Sequence, residues 1–367
     1  MIVKKTVILG LSGGVDSAVA AILLKKKGYG VTGLFMQTFR EETSAKNPCK
    51  SKSAMTDEKM ARAVAKMLGI KFISRDYKKD YYNEVIKPMI KDYGRGITPN
   101  PDIACNKLIK FPHLIEEARK LKADFIATGH YARIKKTKKG FQLLQGKDKA
   151  KDQSYFLYEL DQETLSKTIF PIGNLKKEQV RKIAEKQNLP NWNKPGTTGI
   201  CFLGKTSSIK SFLERKIKSK VGKIINPEGK TIGTHPGAAY FTTGQKIQEH
   251  LGLKITKPKG YAQERYYIAE KKTGNIIVAA PKNHPLLKKQ KVIARKIHLI
   301  NPKERIPKSG LTARIRHLGQ LHEGKLTKSK NSYIFTFSEP VESLAEGQSI
   351  VLHCKERIIG GGEIKVR

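Results

Sequence analysis

The run Ser12-Gly13-Gly14-Val15-Asp16-Ser17 constrains this chain more than any other feature. It follows an apolar stretch, Thr6-Val7-Ile8-Leu9, and opens a helical pattern from Ala18 to Lys27, so it falls on the turn between a buried strand and a helix. Two glycines let the backbone fold tightly and approach a ligand. The first turn of the helix offers unpaired N–H groups together with the positive end of its dipole. The hydroxyls of Ser12 and Ser17 add donors. The run has no Gly-Lys-Ser/Thr of a Walker loop and no Gly-x-Gly-x-x-Gly of a dinucleotide site. The pattern predicts a loop that holds pyrophosphate.

Such a loop resembles that of the ATP pyrophosphatases, which split ATP between its α and β phosphates and hand AMP to an acceptor. The surrounding pattern agrees with an open α/β sheet. Strands are predicted at Thr6 to Leu9, Val31 to Met36, Lys71 to Ser74 and Asp124 to Thr128, with helices at Asp57 to Leu68 and Asn106 to Leu121 between them. Ligands of such sheets gather beyond the carboxyl ends of the strands, where Ser12, Met36 and Gly129 fall.

Helices are further predicted at Lys176 to Asn188 and Ser208 to Lys218, after which the periodicity shifts toward two and the remainder reads as β. The expected organisation is a first unit over residues 1–206 (parallel sheet, helices on both faces), a small central unit over 207–283 and a carboxyl-terminal β unit over 284–367. The 72 Lys and Arg against 32 Asp and Glu give a net charge of +40 in 367 residues, which points to a polyanionic partner and above all nucleic acid. Lysines spread over solvated faces account for part of that excess. Cys49, Cys105, Cys201 and Cys354 form no Cys-x-x-Cys pair, which argues against a zinc ribbon or a disulfide scaffold and for thiols in a reducing cytoplasm. The longest apolar run, Ala18 to Leu24, is far short of the roughly 20 residues of a membrane span.

Three segments carry chemistry besides the loop. In Thr98-Pro99-Asn100-Pro101-Asp102-Ile103-Ala104-Cys105-Asn106-Lys107, two prolines stiffen a loop that delivers a carboxylate and a thiol before a helix, whose dipole would stabilise the Cys105 thiolate. Thr128-Gly129-His130-Tyr131 ends a strand on the same sheet edge, and Gly199-Ile200-Cys201-Phe202 offers a second thiol. Taken singly, these groups have other uses: a buried small apolar cysteine, a core histidine at His130, a helix-capping aspartate at Asp102.

Together with Lys151-Asp152-Gln153-Ser154-Tyr155-Phe156-Leu157 and the Gly360-Gly361-Gly362 tail, these segments closely resemble the tRNA-specific 2-thiouridylases over essentially the whole chain. The resemblance implies an ATP-binding α/β domain, a small central domain and a carboxyl-terminal β-barrel that grips tRNA. It implies adenylation of the 2-carbonyl oxygen of the wobble uridine, Cys201 as the persulfide carrier, Cys105 as the nucleophile that resolves the linkage, and a transient disulfide between the two. Asp102 is implied as general base and, with Asn100 and Pro101, as holder of the flipped base. Gly10, Leu11, Ser12, Gly13, Gly14, Val15, Asp16, Ser17, Met36 and Gly129 would bind ATP. His130, Lys151, Asp152, Gln153, Arg314, Ile315 and Gln348 would face tRNA. ATP with Mg²⁺ is the implied cofactor, with no dedicated metal site. The implied partners are the anticodon arm of tRNA and a persulfide-donating sulfur carrier or cysteine desulfurase, with the chain itself a monomer.

Departures from the family pattern are Gly196-Thr197-Thr198 where many members have Asp-Ser-Thr, and Arg314-Ile315-Arg316 in place of Arg-Tyr-Arg. Asp102 stands where cluster-bearing sulfur-transfer enzymes place the first cysteine of a Cys-x-x-Cys, which disfavours an iron–sulfur cluster. Two alternatives remain open at this point: another pyrophosphate-loop enzyme acting on tRNA, of the lysidine synthetase type, and a basic RNA-binding protein without catalysis.

Overall fold

The apolar run after the amino terminus forms the centre of a parallel sheet in a computed structural model, which describes residues 4–39, 52–196, 201–203, 208–256, 264–307, 309–330 and 332–365. Strands β1 (Thr6–Gly10), β2 (Gly30–Gln37), β3 (Lys71–Asp76) and β4 (Phe125–Ala127) are the predicted ones, each within two residues of its expected ends. Alternation along β1 sends Val7 and Leu9 into one core and Ile8 into another, so helices cover both faces.

The chain next forms a hairpin, β5 (Ala132–Thr137) and β6 (Gly140–Gln145), before returning to the sheet as the two-residue β7 (Thr168–Ile169). The parallel sheet is ordered β3-β2-β1-β4-β7. Strand order therefore reverses between β1 and β4, and the loops after these two strands frame the switch point where open α/β sheets bind ligands.

The central part is a five-stranded sheet, β10-β9-β8-β12-β11, built from β8 (Gly222–Ile225), β9 (Thr231–His235), β10 (Lys254–Ile255), β11 (Tyr266–Lys272) and β12 (Ile276–Pro281). Its core is shared. Phe212, Phe241, Tyr266 and Ile277 pack with Tyr81, Val85, Met89 and Ile109 from helices of the first unit, including a helical run over 78–94.

The carboxyl-terminal strands are β13 (Lys288–Ala294), β14 (His298–Leu299), β15 (Leu311–Arg314), β16 (His322–Ser329), β17 (Ser332–Glu342), β18 (Ser349–Cys354) and β19 (Arg357–Lys365). Six of them run β13-β17-β16-β15-β18-β19, and β19 pairs back with β13 through Ile293 with Lys365 and Ala294 with Ile364, which closes a barrel around Val292, Phe335, Phe337 and Leu352. The hairpin is not part of the parallel sheet. Its β6 pairs with β19, Leu144 facing Arg357 and Leu143 facing Ile358, so the first unit extends the sheet of the barrel. A Cβ at Gly361 would stand 2.6 Å from the Ile350 carbonyl oxygen and 2.8 Å from the Tyr158 ring, so the glycine tail permits this close approach.

Candidate active site

The phosphate loop joins β1 to the helix Val15–Lys26, whose N-cap, Gly14, brings no capping side chain. The amides of the first helical turn consequently stay available to a ligand. Gly13 has φ +75°, and a Cβ there would lie 2.3 Å from the Asp57 carbonyl oxygen, so only glycine fits. The Ser17 hydroxyl donates to the Gly14 carbonyl at 3.1 Å and lies 3.2 Å from the Ser12 hydroxyl, which ties the two ends of the loop together. A glycine is also required at position 129, because a Cβ would stand 2.8 Å from the Ser17 amide nitrogen. The end of β4 thereby packs onto the start of the helix, at the switch point. Met36 lies near the end of β2, partly buried beside Ile8 and Leu34.

Four loop neighbours were not foreseen in sequence. The Tyr131 hydroxyl donates to Asp16 Oδ1 at 2.8 Å, and Lys177 Nζ reaches the same oxygen at 2.5 Å. Burial, followed by the Asp16 charge, pushes the Tyr131 phenol far up, so it stays a donor. The Asn191 amide and Lys194 Nζ both donate to the Gly13 carbonyl, at 3.1 Å and 3.2 Å, and Lys194 also pairs with Asp57 at 2.5 Å. Two ammonium groups thus border a loop whose helix start has no capping side chain. The donor set fits a polyphosphate. A signal existed for Lys177: it opens the helix Lys177–Lys186, where the dipole disfavours a cation, so its placement calls for another reason.

The second cluster starts at Asn100, whose side chain accepts from the Ile103 amide at 3.3 Å as the N-cap of the helix Pro101–Ala104, with Pro101 at its first position. Asn100, not Asp102, therefore does the capping. The Asp102 carboxyl has no hydrogen bond among the described residues; burial pushes it above the usual range and Lys110 opposes that shift. Cys105 differs from expectation. It does not sit at a helix start but one turn into a continuous helical run over 101–120, and its amide already bonds to the carbonyls of Pro101 and Asp102. The dipole argument for its thiolate weakens accordingly, since that field fades within the first turn. Cys105 instead opens a π turn, Cys105–Lys110, a form of backbone that recurs at functional sites.

Cys105 is half-buried against the cluster that contains Phe202 and Leu203. These two follow Cys201 in a short turn, Cys201–Leu203, with Phe202 against Phe39, Tyr81 and Phe212. The backbone neighbours of one expected sulfur thus pack in the same cluster as the other. The Cys201 side chain, Cys49 and the stretch 197–200 lie outside the described residues. Cys354 ends a barrel strand and is half-buried.

Several residues expected to face tRNA turn inward. His130 is buried, its Nδ1 2.7 Å from the Thr128 hydroxyl and its ring stacked near Phe111, and burial together with the Lys110 charge holds it neutral. Asp152 is fully buried: Oδ1 accepts from the Gly146 and Ser154 amides at 3.0 and 3.1 Å, and Oδ2 pairs with Arg314 Nη1 at 2.9 Å. Arg314 is buried with it, and Ile315 lies in the barrel core. Side-chain contact with RNA is therefore withdrawn for His130, Asp152, Arg314 and Ile315. Their side chains are buried within the protein, and Ile315 packs in the barrel core. Gln153 is partly exposed and its Oε1 accepts from the Tyr131 amide at 3.0 Å, while Lys151 is exposed. Gln348 binds the Thr98 and Pro99 carbonyls, at 2.9 and 3.2 Å.

No helix among the described residues is long and apolar enough to cross a membrane, and no group of three or more potential metal ligands occurs among them.

Comparison with known proteins agrees along the whole chain. Residues 5–205 match the family model described as tRNA methyl transferase HUP domain, residues 210–280 its PRC-barrel counterpart, and residues 289–364 an aminomethyltransferase β-barrel domain. A tRNA-specific 2-thiouridylase MnmA from Pseudomonas fluorescens is 40% identical over 99% of this chain and 95% of its own length, and one from Geobacillus kaustophilus is 40% identical over 98% and 95%. A solved NMN synthetase from Francisella tularensis matches 53% of this chain and 67% of its own at 18% identity, with a TM-score of 0.32, too slight a likeness to carry weight. Matched by the family model over residues 5–205 and alike from end to end to relatives at 40% identity, the chain belongs to the tRNA-specific 2-thiouridylase family.

Proposed function

We propose that the protein is a tRNA-uridine 2-sulfurtransferase that uses ATP with Mg²⁺ to replace the 2-carbonyl oxygen of the wobble uridine by sulfur. The observation that carries this reading is the placement of Cys105 and the Cys201–Leu203 turn around one apolar cluster, on a run that also holds Asp102. The uridine oxygen attacks the α phosphorus of ATP, and diphosphate leaves into the amides of Gly13 to Ser17, flanked by Lys177 and Lys194. The terminal sulfur of a Cys201 persulfide then attacks C2, and AMP departs with the oxygen. The Cys105 thiolate attacks Cys201 Sγ, forming a disulfide and freeing the thiolated base. A cellular dithiol restores both thiols.

Asp102, whose carboxyl burial pushes above the usual carboxylate range, would act as general base, and Asn100 and Pro101 would shape the rim on which the target base rests. Lys151, Gln153 and the general positive charge would hold the anticodon arm. A sulfur carrier or cysteine desulfurase would load Cys201, in the cytoplasm, on a monomeric enzyme. To test this, the protein is incubated with unmodified tRNA, ATP, Mg²⁺ and a persulfide donor, and the tRNA is run on a mercury-containing gel. The expected result is retarded tRNA with AMP as co-product, lost in Cys105→Ser and in Cys201→Ser. Full activity in both variants, or ADP as the product, would overturn the mechanism.

A further inference from the structure

The segment that carries Asp102 is held from three sides. The Thr98 amide donates to the Glu346 carbonyl at 2.8 Å. The side-chain nitrogen of Gln348 donates to the Thr98 and Pro99 carbonyls, at 2.9 and 3.2 Å. The Thr98 hydroxyl meets that of Thr242, in the central unit, at 3.3 Å. Gly347, between the two barrel residues, has φ +88°, and a Cβ there would lie 2.4 Å from the Ile97 side chain and 2.9 Å from the Thr98 carbonyl oxygen. Gln348 is itself fixed in the barrel, because its carbonyl accepts from the Ile364 amide at 2.7 Å. Two residues past Thr98, Asn100 caps the helical run that bears Asp102 and Cys105. The chain leaves this anchor directly into the helix, so an error in the position of Thr98 passes to the carboxyl and the thiol.

The geometry points to Gln348 as a positioning residue, through which the carboxyl-terminal barrel sets the placement of Asp102 and Cys105. Both amide hydrogens of Gln348 are engaged by the loop, which leaves its nitrogen nothing to offer RNA. The inference rests on the thiolation reading for its rate measurement, but the clamp can also be read without turnover.

Gln348→Met keeps the length of the side chain and removes both hydrogen bonds. Gln348→Glu keeps the shape and sets a carboxylate against two carbonyl oxygens. The measurements are tRNA Kd by filter binding, single-turnover thiolation at saturating tRNA and ATP, and hydrogen exchange of the Thr98 and Ile103 amides. The expected result is a Kd within about twofold of the parent, a single-turnover rate lower by about 10- to 100-fold, as misplacement by an ångström produces, and faster exchange at both amides, with Glu at least as severe as Met. A tenfold weaker Kd with an unchanged saturated rate would overturn it in favour of a direct RNA contact. Unchanged rate, Kd and exchange would overturn it outright. If the parent protein does not thiolate at all, the functional reading fails, while the exchange data still decide whether Gln348 holds the loop.

Discussion

The Asp152–Arg314 pair gives the sharpest test of how the barrel is attached. Asp152 is fully buried and Arg314 is 8% exposed, and the pair joins the loop after β6 to the end of β15. Asp152→Ala removes the acceptor of the Gly146 and Ser154 amides as well as the counter-charge of a buried guanidinium whose Nε already lacks a partner. Breaking a buried pair from one side costs about 3–5 kcal/mol, and each orphaned amide about 1–3 kcal/mol. These contributions overlap, so a loss of roughly 5 kcal/mol is expected for Asp152→Ala. Asp152→Asn retains an oxygen for the two amides but sets its NH2 group against the guanidinium, so it should lose about 3–5 kcal/mol, the cost of the broken pair without that of the amides.

A molecule with several cores does not unfold in one step, so the assay should be local. Hydrogen exchange at the Gly146 and Ser154 amides reads the opening of this junction, and Asp152→Asn should lower protection there by about 100-fold or more. A cycle with Arg314→Met completes the argument, because removing both charges relieves the desolvation left by removing one. The double variant should fall short of the summed single losses by about 2–3 kcal/mol. Additivity within about 0.5 kcal/mol would show that the two residues do not depend on each other, and the buried-pair account would be wrong.

Three further outcomes are expected. Tyr131→Phe deletes the donor to Asp16 and should raise the KM for ATP by about two- to tenfold with tRNA Kd unchanged, by steady-state kinetics and filter binding. Asp102 has a folded pKa above 3.8, so the acid limb of the thiolation rate should lie above that value, and Lys110→Met, which removes the opposing cation, should move the limb higher still in a pH–rate profile. His130, His235, His317, His322 and His353 all have folded values below 6.5, His353 at about 3, mainly through burial. The folded state then binds fewer protons than the unfolded one, so their stabilisation is complete above about pH 6.5 and is lost as the pH falls below it; His353→Gln should remove about 1.4 kcal/mol of that loss per pH unit between 6.5 and 5, measured by hydrogen exchange of the barrel amides.

What was legible in the sequence follows from how local each cause is. β1 and β2 were readable because strands buried on both faces must be apolar throughout, and the loop was readable because Gly13 alone satisfies φ +75° against Asp57. The β5–β6 hairpin was not, since its partner β19 lies more than 200 positions away and Lys135 and Lys136 break its apolar pattern. The helical run over 78–94 was missed although Tyr81, Val85, Met89 and Tyr93 recur every fourth residue, because Tyr77 brings no capping side chain and a π turn interrupts it. In the site, motif residues were located but their directions were not. Asp152 and Arg314 looked like surface charges until each was seen to neutralise the other, and burial of such a pair is a property of the folded junction that no segment carries alone.

The same distinction separates the two halves of the chemistry. On the proposed reading, everything that would hold phosphate comes from the first unit: loop amides at the end of β1, Gly129 at the end of β4, and Lys177 and Lys194 from the segments that follow. What would transfer sulfur does not. Cys105 packs in a cluster completed by Phe212, Tyr240 and Phe241 of the central unit, and Asp102 follows a loop anchored by Glu346 and Gln348 of the barrel. A nucleotide module that adenylated any exposed carbonyl would waste ATP, whereas here the carboxyl and thiol also depend on the central unit and the barrel. The physical consequence is that a tRNA substrate touching either junction would bear on the very contacts that place Asp102 and Cys105, so binding and alignment of the reacting groups would draw on the same interfaces.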